Sequence, residues 1–162
     1  MSGIVGIWNL DGSPIDRTVL SQLAAVQGHR NKDGEGTWID GDVGLLFQNL
    51  WVTPESVGEM QPLVHSSESV VLFDGRLDNR EELLPLLRGR VTTESSDAAF
   101  VSAVYRKFGE AFPEKLLGDF AIAIYDMRLR KLFLRRKNRP LRKRWQNAVL
   151  YRSCPWVDRL RV

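Results

Sequence analysis

The chain has 162 residues and a net charge of +3, enough for one domain that buries a single core without disulfides or a structural metal. Its 43% hydrophobic and 27% charged content is ordinary for a globular protein, with no apolar run of membrane-spanning length and no basic lead or long apolar core of a secretory signal. The one cysteine, Cys154, excludes an intramolecular disulfide and fits a reducing cytoplasm, and His29 and His65 lack the cysteine or HxxxH company of a zinc site, so no metal is expected.

The net charge hides an asymmetry. Residues 1 to 127 hold 10 Lys and Arg against 19 Asp and Glu, a balance of −9. Residues 128 to 162 hold 13 against Asp158 alone, a balance of +12. The main body is acidic and the basic character belongs to the tail.

In chain order, Ile4, Val5, Ile7 and Trp8 form an apolar, partly β-branched run that predicts a buried strand, ended by the turn residues Asn9 to Gly12. Trimming of Met1 is expected to leave Ser2 as a free N-terminus. A hydroxyl there is one arrangement for a nucleophile whose base is its own α-amine. From these residues alone the plainer reading, an N-terminal edge strand, is favoured. Asp16 to Gln27 predicts a helix capped by Asp16 and stopped by Gly28. His29 to Gly36 reads as a polar loop. Thr37 to Ile39 and Val43 to Leu50 flank Asp40-Gly41-Asp42, a hairpin signal. Trp51 to Glu68, with Pro54, Gly58 and Pro62, reads as a long loop.

Ser69 to Phe73 predicts a buried strand ending in a tight turn at Asp74-Gly75. Asp78-Asn79-Arg80-Glu81 has capping-box spacing before a leucine-rich helix, which Pro85 should kink or shorten. Ser95 or Ser96 caps a helix from Asp97 to Phe108, whose stripe of Phe100, Val101, Val104, Tyr105 and Phe108 is core. Gly109 stops it, and Glu110 to Leu117 is a short further helix. Gly118 to Asp126 is the clearest buried strand, with Lys131 to Leu134 its antiparallel partner. Strands, then helices, then strands predict an α+β layered fold. After Leu134 neither a period of 2 nor a clean amphipathic helix continues, so no structure is assigned to the tail, where Trp145, Cys154 and Trp156 are scattered singly.

SGIVGIWNLDG from Ser2, HR followed by DGEG from His29, Gln61-Pro62, FDG and NREEL from Phe73, SSDAAFV from Ser95, LLGDFAIAIYD from Leu116 and LFL from Leu132 stand in order over most of residues 2 to 134. Together they resemble the N-terminal glutaminase domain of asparagine synthetase, a class II (type 2) glutamine amidotransferase of the Ntn-hydrolase fold. The resemblance implies a four-layer αββα sandwich, two antiparallel sheets flanked by helices. It also implies an N-terminal cysteine nucleophile, an arginine for the substrate carboxylate, an Asn-Gly oxyanion hole and an aspartate for the α-ammonium.

Residue by residue, that set is degraded. Ser2 stands at the nucleophile position, and a hydroxyl is a poorer nucleophile than a thiolate. Asn49 stands where the carboxylate-binding arginine belongs. Asp74 replaces the oxyanion-hole asparagine, and an ionised carboxylate repels an oxyanion instead of donating to it. Gly75 still offers its N–H, and Asp97 matches the ammonium-binding aspartate. Asn31 and Lys32 replace a glycine and a proline in the pocket wall. A lost oxyanion donor alone costs about 2.7–4 kcal/mol, so the expectation is a domain without glutaminase activity.

Similar losses mark the β-lactam synthetases and lasso-peptide cyclases, which the run from Asp74 to Arg80 resembles more than it does true glutaminases. In such proteins ATP and magnesium serve a separate synthetase domain with an SGGxDS loop, absent here, so no cofactor is expected in this chain. The expected organisation is an amidotransferase-like domain over 2–134 and a basic non-family tail over 135–162, either disordered or out-of-frame residues that cut short a longer synthetase-like protein. The expected function is the non-catalytic scaffold or remnant half of an ATP-dependent amide- or lactam-forming synthetase, with an ATP-using synthetase subunit as partner. Family activity would be glutamine-hydrolysing asparagine synthase. The alternatives are an active N-terminal-serine amidohydrolase with glutamine as substrate and a basic-arm nucleic-acid-binding module, the latter disfavoured because no nucleic-acid motif accompanies the charge run. A homodimer stays open. No membrane partner is expected.

Overall fold

The computed structural model describes residues 2–26, 33–51, 54–66 and 68–136, and the backbone of 148–152. The expectations about Met1, Gly28, His29, Asn31, Lys32, Trp145, Cys154 and Trp156 lie outside the described residues. The elements run β1 (Gly3–Trp8), α1 (Arg17–Ala25), β2 (Glu35–Asp40), β3 (Val43–Gln48), β4 (Leu63–His65), β5 (Ser69–Leu77), α2 (Arg80–Leu86), α3 (Asp97–Phe108), β6 (Gly118–Asp126), β7 (Lys131–Arg136) and β8 (Ala148–Arg152). Short 3₁₀ segments occupy Pro54–Ser56 and Gly109–Lys115.

The chain divides into two compact units. The first, Met1–Leu50 with Met60–Pro62 and Leu141–Val162, carries a sheet ordered β2-β3-β1-β8. β1 pairs antiparallel with β3, Val5 opposite Leu46, and β2 pairs antiparallel with β3 through the Gly41-Asp42 turn that the hairpin signal predicts. Gly41 sits there at φ 54. Val5, Ile7 and Leu46 point from one face into the apolar side of α1, Leu20 and Ala24, as alternation in a strand and 3.6-residue spacing in a helix require. Ile4, Leu45 and Phe47, on the opposite face, are buried too, which explains why β1 and β3 read as continuous apolar runs. The Asp16 carboxylate caps α1 by accepting from Thr18 N–H at 2.8 Å.

The second unit, Trp51–Glu59 with Leu63–Pro140, carries a fully antiparallel sheet ordered β4-β5-β6-β7. Its core joins Val71, Phe73, Ile122 and Ile124 of the sheet to Phe100 and Val104 of α3. Each such fully buried side chain contributes about 1.5–3 kcal/mol. Ser96 caps α3, accepting from Ala99 N–H, and Gly109 ends it. Pro85 lies inside α2, which stops at Leu86, as short as the proline implies.

The fold is α+β and Ntn-hydrolase-like, each sheet bearing the helices of its own unit. Several local expectations are corrected. β2 begins at Glu35, inside the expected polar loop, because its backbone continues the ladder to Gln48. The long loop contains β4, paired on β5. β5 does not turn at Asp74-Gly75 but runs on to Leu77, with Gly75 opposite Phe120. The capping box does not form. Asn79 holds the N-cap position and its side chain is drawn away to Lys115 O and Leu117 N, while Asp78 pairs with exposed Arg76. Finally, β7 extends to Arg136, and β8, in the segment left without structure, pairs parallel with β1, which makes β1 an interior strand and not the expected edge strand.

Candidate functional site

The expected site residues fall into two groups, Ser2 and Asn49 in the first unit and Asp74, Gly75 and Asp97 in the second.

Ser2 precedes β1 and is 7% exposed. The register Gly3 opposite Gln48 brings it to the end of β3, where its hydroxyl accepts from Leu50 N–H at 3.2 Å and donates to Leu50 O at 3.4 Å. Asn49 is buried, its backbone held from both directions by Asn49 N–H to Gly34 O, 2.7 Å, and Asp33 N–H to Asn49 O, 3.1 Å. Its Nδ2 has no hydrogen-bond partner. The neighbouring Gln48 donates through Nε2 to Ala24 O at 2.9 Å, which satisfies a carbonyl at the end of α1.

Asp74 is buried within β5, opposite Ala121. Gly75 adopts φ +146, and a Cβ there would meet Asp119 O at 2.3 Å and Phe120 Cα at 2.6 Å. The strand therefore passes this point only as glycine, which keeps its backbone close against β6.

Asp97 opens α3, where a carboxylate suits the helix dipole. Both its oxygens are engaged: Oδ2 accepts from Leu77 N–H at 2.9 Å and Oδ1 from Arg80 Nη1 at 3.1 Å. Arg80 also donates to Thr93 O and Ser95 O and lies 4.8 Å from the centre of the Phe100 ring. It ties the start of α2, the 92–96 turn and the start of α3 into one node. In the sequence Arg80 reads only as part of a helix start. Its pairing across 17 residues with Asp97 has no local signature. The bonds of Asn79 to Lys115 O and Leu117 N–H, 36 and 38 residues away, have no local signature either. A cleft of about 430 Å³ opens beside Arg80, rimmed by Glu55, Asp78, Glu81 and Glu82.

Burial pushes the Asp97 carboxyl above the ordinary carboxylate range, against the opposing pull of Leu77 N–H and Arg80. A raised folded-state pKa contributes stability that is present below the unfolded value and lost as pH rises through the folded one. Asp97→Asn is therefore expected to gain stability relative to the wild type as pH rises above about 4, read as the gap between their urea midpoints across that range. A gap that widens in the wild type's favour over the same range contradicts this account.

Among the described residues, no helix is long and apolar enough to cross a membrane. A family model described as a glutamine amidotransferase domain matches residues 1–151, running past Leu134, where the sequence reading ends the resemblance. The chain is 31% identical over 138 residues to glutamine-hydrolyzing asparagine synthetase 2 of Bacillus subtilis (strain 168), covering 83% of this chain and 18% of that protein. It is 31% identical over 130 residues to the glutamine-hydrolyzing asparagine synthetase of Triphysaria versicolor and 29% identical over 130 to that numbered 1 of Arabidopsis thaliana, in each case 79% of this chain and 22% of the relative. The chain spans about a fifth of the length of these curated relatives.

Proposed function

This chain belongs to the glutamine amidotransferase domain family, as the N-terminal glutaminase type of the asparagine synthetases, and on that premise we propose that it keeps the amidotransferase scaffold without glutaminase activity. The observation that carries the reading is the state of Asp97. The residue matched to ammonium binding already has one oxygen on Leu77 N–H and the other on Arg80. An incoming ammonium would have to displace a guanidinium held by three acceptors and an aromatic face.

Two further features support it. Ser2 offers a hydroxyl already bonded to the Leu50 main chain, and Asn49 supplies no charge for a substrate carboxylate. A substrate carboxylate thus meets no fixed opposite charge at Asn49 to orient it. In this proposal the ATP- and magnesium-dependent amide- or lactam-forming step belongs to a separate synthetase part. The relatives are named glutamine-hydrolyzing asparagine synthetases, and this chain spans about a fifth of their length.

The test is ammonia release on incubation with glutamine and other small amides. No release above the enzyme-free rate is expected. Release that disappears in Ser2→Ala would overturn the reading in favour of an N-terminal-serine amidohydrolase.

A further inference from the structure

The Arg80 guanidinium sits in a socket of three oxygen acceptors and an aromatic face. Nη1 donates to Asp97 Oδ1 at 3.1 Å, Nη2 donates to Thr93 O at 2.8 Å and to Ser95 O, and Cζ lies 4.8 Å from the centre of the Phe100 ring. Each wall of the socket is fixed by other bonds. Leu77 N–H holds the second Asp97 oxygen, and the turn that carries Thr93 is closed by Ser95 N–H to Thr92 O and by Thr92 N–H to Ser95 Oγ. Phe100 is fully buried. A carboxylate, two carbonyls and a ring held in this way match a planar cation with donors on two nitrogens. An ammonium concentrates its charge and donors at one point and does not span the three acceptors as a fork does.

The socket is not sealed. Arg80 lines the cleft of about 430 Å³ together with Leu77, Leu84 and Thr93, and its side chain is 21% exposed against 14% for that of Asp97. The arginine stem therefore runs from the cleft to the carboxylate, and its removal would join the two. What remains would be a largely buried carboxylate without its guanidinium, the costly half of a broken ion pair. Such a group gains from a cation that reaches it, and the gain appears as ligand-dependent stability.

We propose that Arg80 is the specificity-determining residue of this site: its guanidinium is an internal ligand that fills a cation socket ending at Asp97 and keeps external cations out, and the ligand class the socket takes is a guanidinium. The inference rests on the reading of the domain as a non-hydrolysing amidotransferase and names the residue that closes the position matched to ammonium binding.

The test uses Arg80→Ala and ethylguanidinium, which supplies the atoms that the substitution removes, with ethylurea as its uncharged isostere. Titration calorimetry of the full chain at neutral pH is expected to show the variant binding ethylguanidinium about tenfold or more tightly than ethylurea, a difference of about 1.4 kcal/mol. The wild type is expected to bind neither. Adding Asp97→Asn to Arg80→Ala should remove the preference. If Arg80→Ala does not fold alone, ethylguanidinium is expected to restore its folded circular-dichroism signal where ethylurea does not. The inference is overturned by a variant with no preference for the cation, by wild type and variant binding the cation equally, or by an unfolded variant that the cation does not restore. None of these measurements involves glutamine, so ammonia release by the wild type would sink the underlying reading separately.

Discussion

Gly75→Ala is expected to lower the unfolding free energy by about 3 kcal/mol or more, and to broaden or abolish cooperative unfolding. Two costs combine. A side chain at φ +146 is strained by itself, at about 1–3 kcal/mol. The new Cβ would also stand 2.3 Å from Asp119 O and 2.6 Å from Phe120 Cα, backbone atoms of β6 that cannot rotate away, and overpacking of that kind adds about 1–3 kcal/mol. Gly41→Ala separates the two costs. Gly41 has φ +54 but nothing within 4 Å of its virtual Cβ, so about 1–2 kcal/mol is expected from conformation alone. Urea denaturation of the two variants measures the difference. Equal losses would show that β5 and β6 part easily at this point and that the close approach is not what requires glycine.

The second large effect is at the opposite end of the same strand pair, β5 and β6. Asp126 is 1% exposed and accepts from Tyr105 OH at 2.6 Å and from Leu129 N–H at 2.8 Å, with Arg128 at 3.8 Å. Asp126→Ala strands the buried Tyr105 hydroxyl and removes the acceptor of the more exposed Leu129 N–H, so a loss of about 1–3 kcal/mol is expected near neutral pH. Burial by itself pushes the Asp126 carboxyl up, but the Tyr105 hydroxyl, the Leu129 N–H and Arg128 outweigh it and hold the carboxyl below the ordinary value. Burial and the same carboxylate push the Tyr105 phenol up, which keeps it a proton donor. A depressed carboxylate pKa gives stability that is present above the unfolded value, about 3.9, and lost as pH falls through the folded one. The gap between wild type and Asp126→Ala should therefore shrink in acid, the reverse of the trend at Asp97. Midpoints measured near pH 7 and near pH 3 decide it. A gap that holds constant would mean that Asp126 contributes by shape and not by charge.

These two carboxylates show how legible the site was. Asp97 is readable from the residues around it: Ser96 caps, Asp97 follows, and the stripe from Phe100 to Phe108 gives α3 its length and its buried face. That its charge would be taken up by Arg80 was not readable. The helix start at Asn79 shows the same limit from the other side, since local spacing predicted a capping box and a carbonyl and an N–H near residue 116 captured the side chain instead. At Asp74-Gly75 the residue pair reads as a turn, yet the strand continues because β6 offers a partner along its whole length.

By itself the sequence determined the features that period and composition encode. These are the buried runs of β1, β3, β5 and β6, the apolar stripe of α3, the Gly41 turn, the family resemblance and the substitutions at Ser2, Asn49 and Asp74. Those properties are local, because a side chain's direction repeats every two or 3.6 residues whatever the rest of the chain does. The tertiary structure alone decided who meets whom: Arg80 with Asp97 across 17 residues, Asn79 with Leu117 across 38, and the Ser2 hydroxyl with Leu50 across 48. It also left the buried Asn49 Nδ2 without a hydrogen-bond partner. Hydrogen bonds and charges are satisfied by proximity in space, which no local period encodes. For that reason the scaffold was visible in the residues, and the state of its functional groups became visible only in the fold.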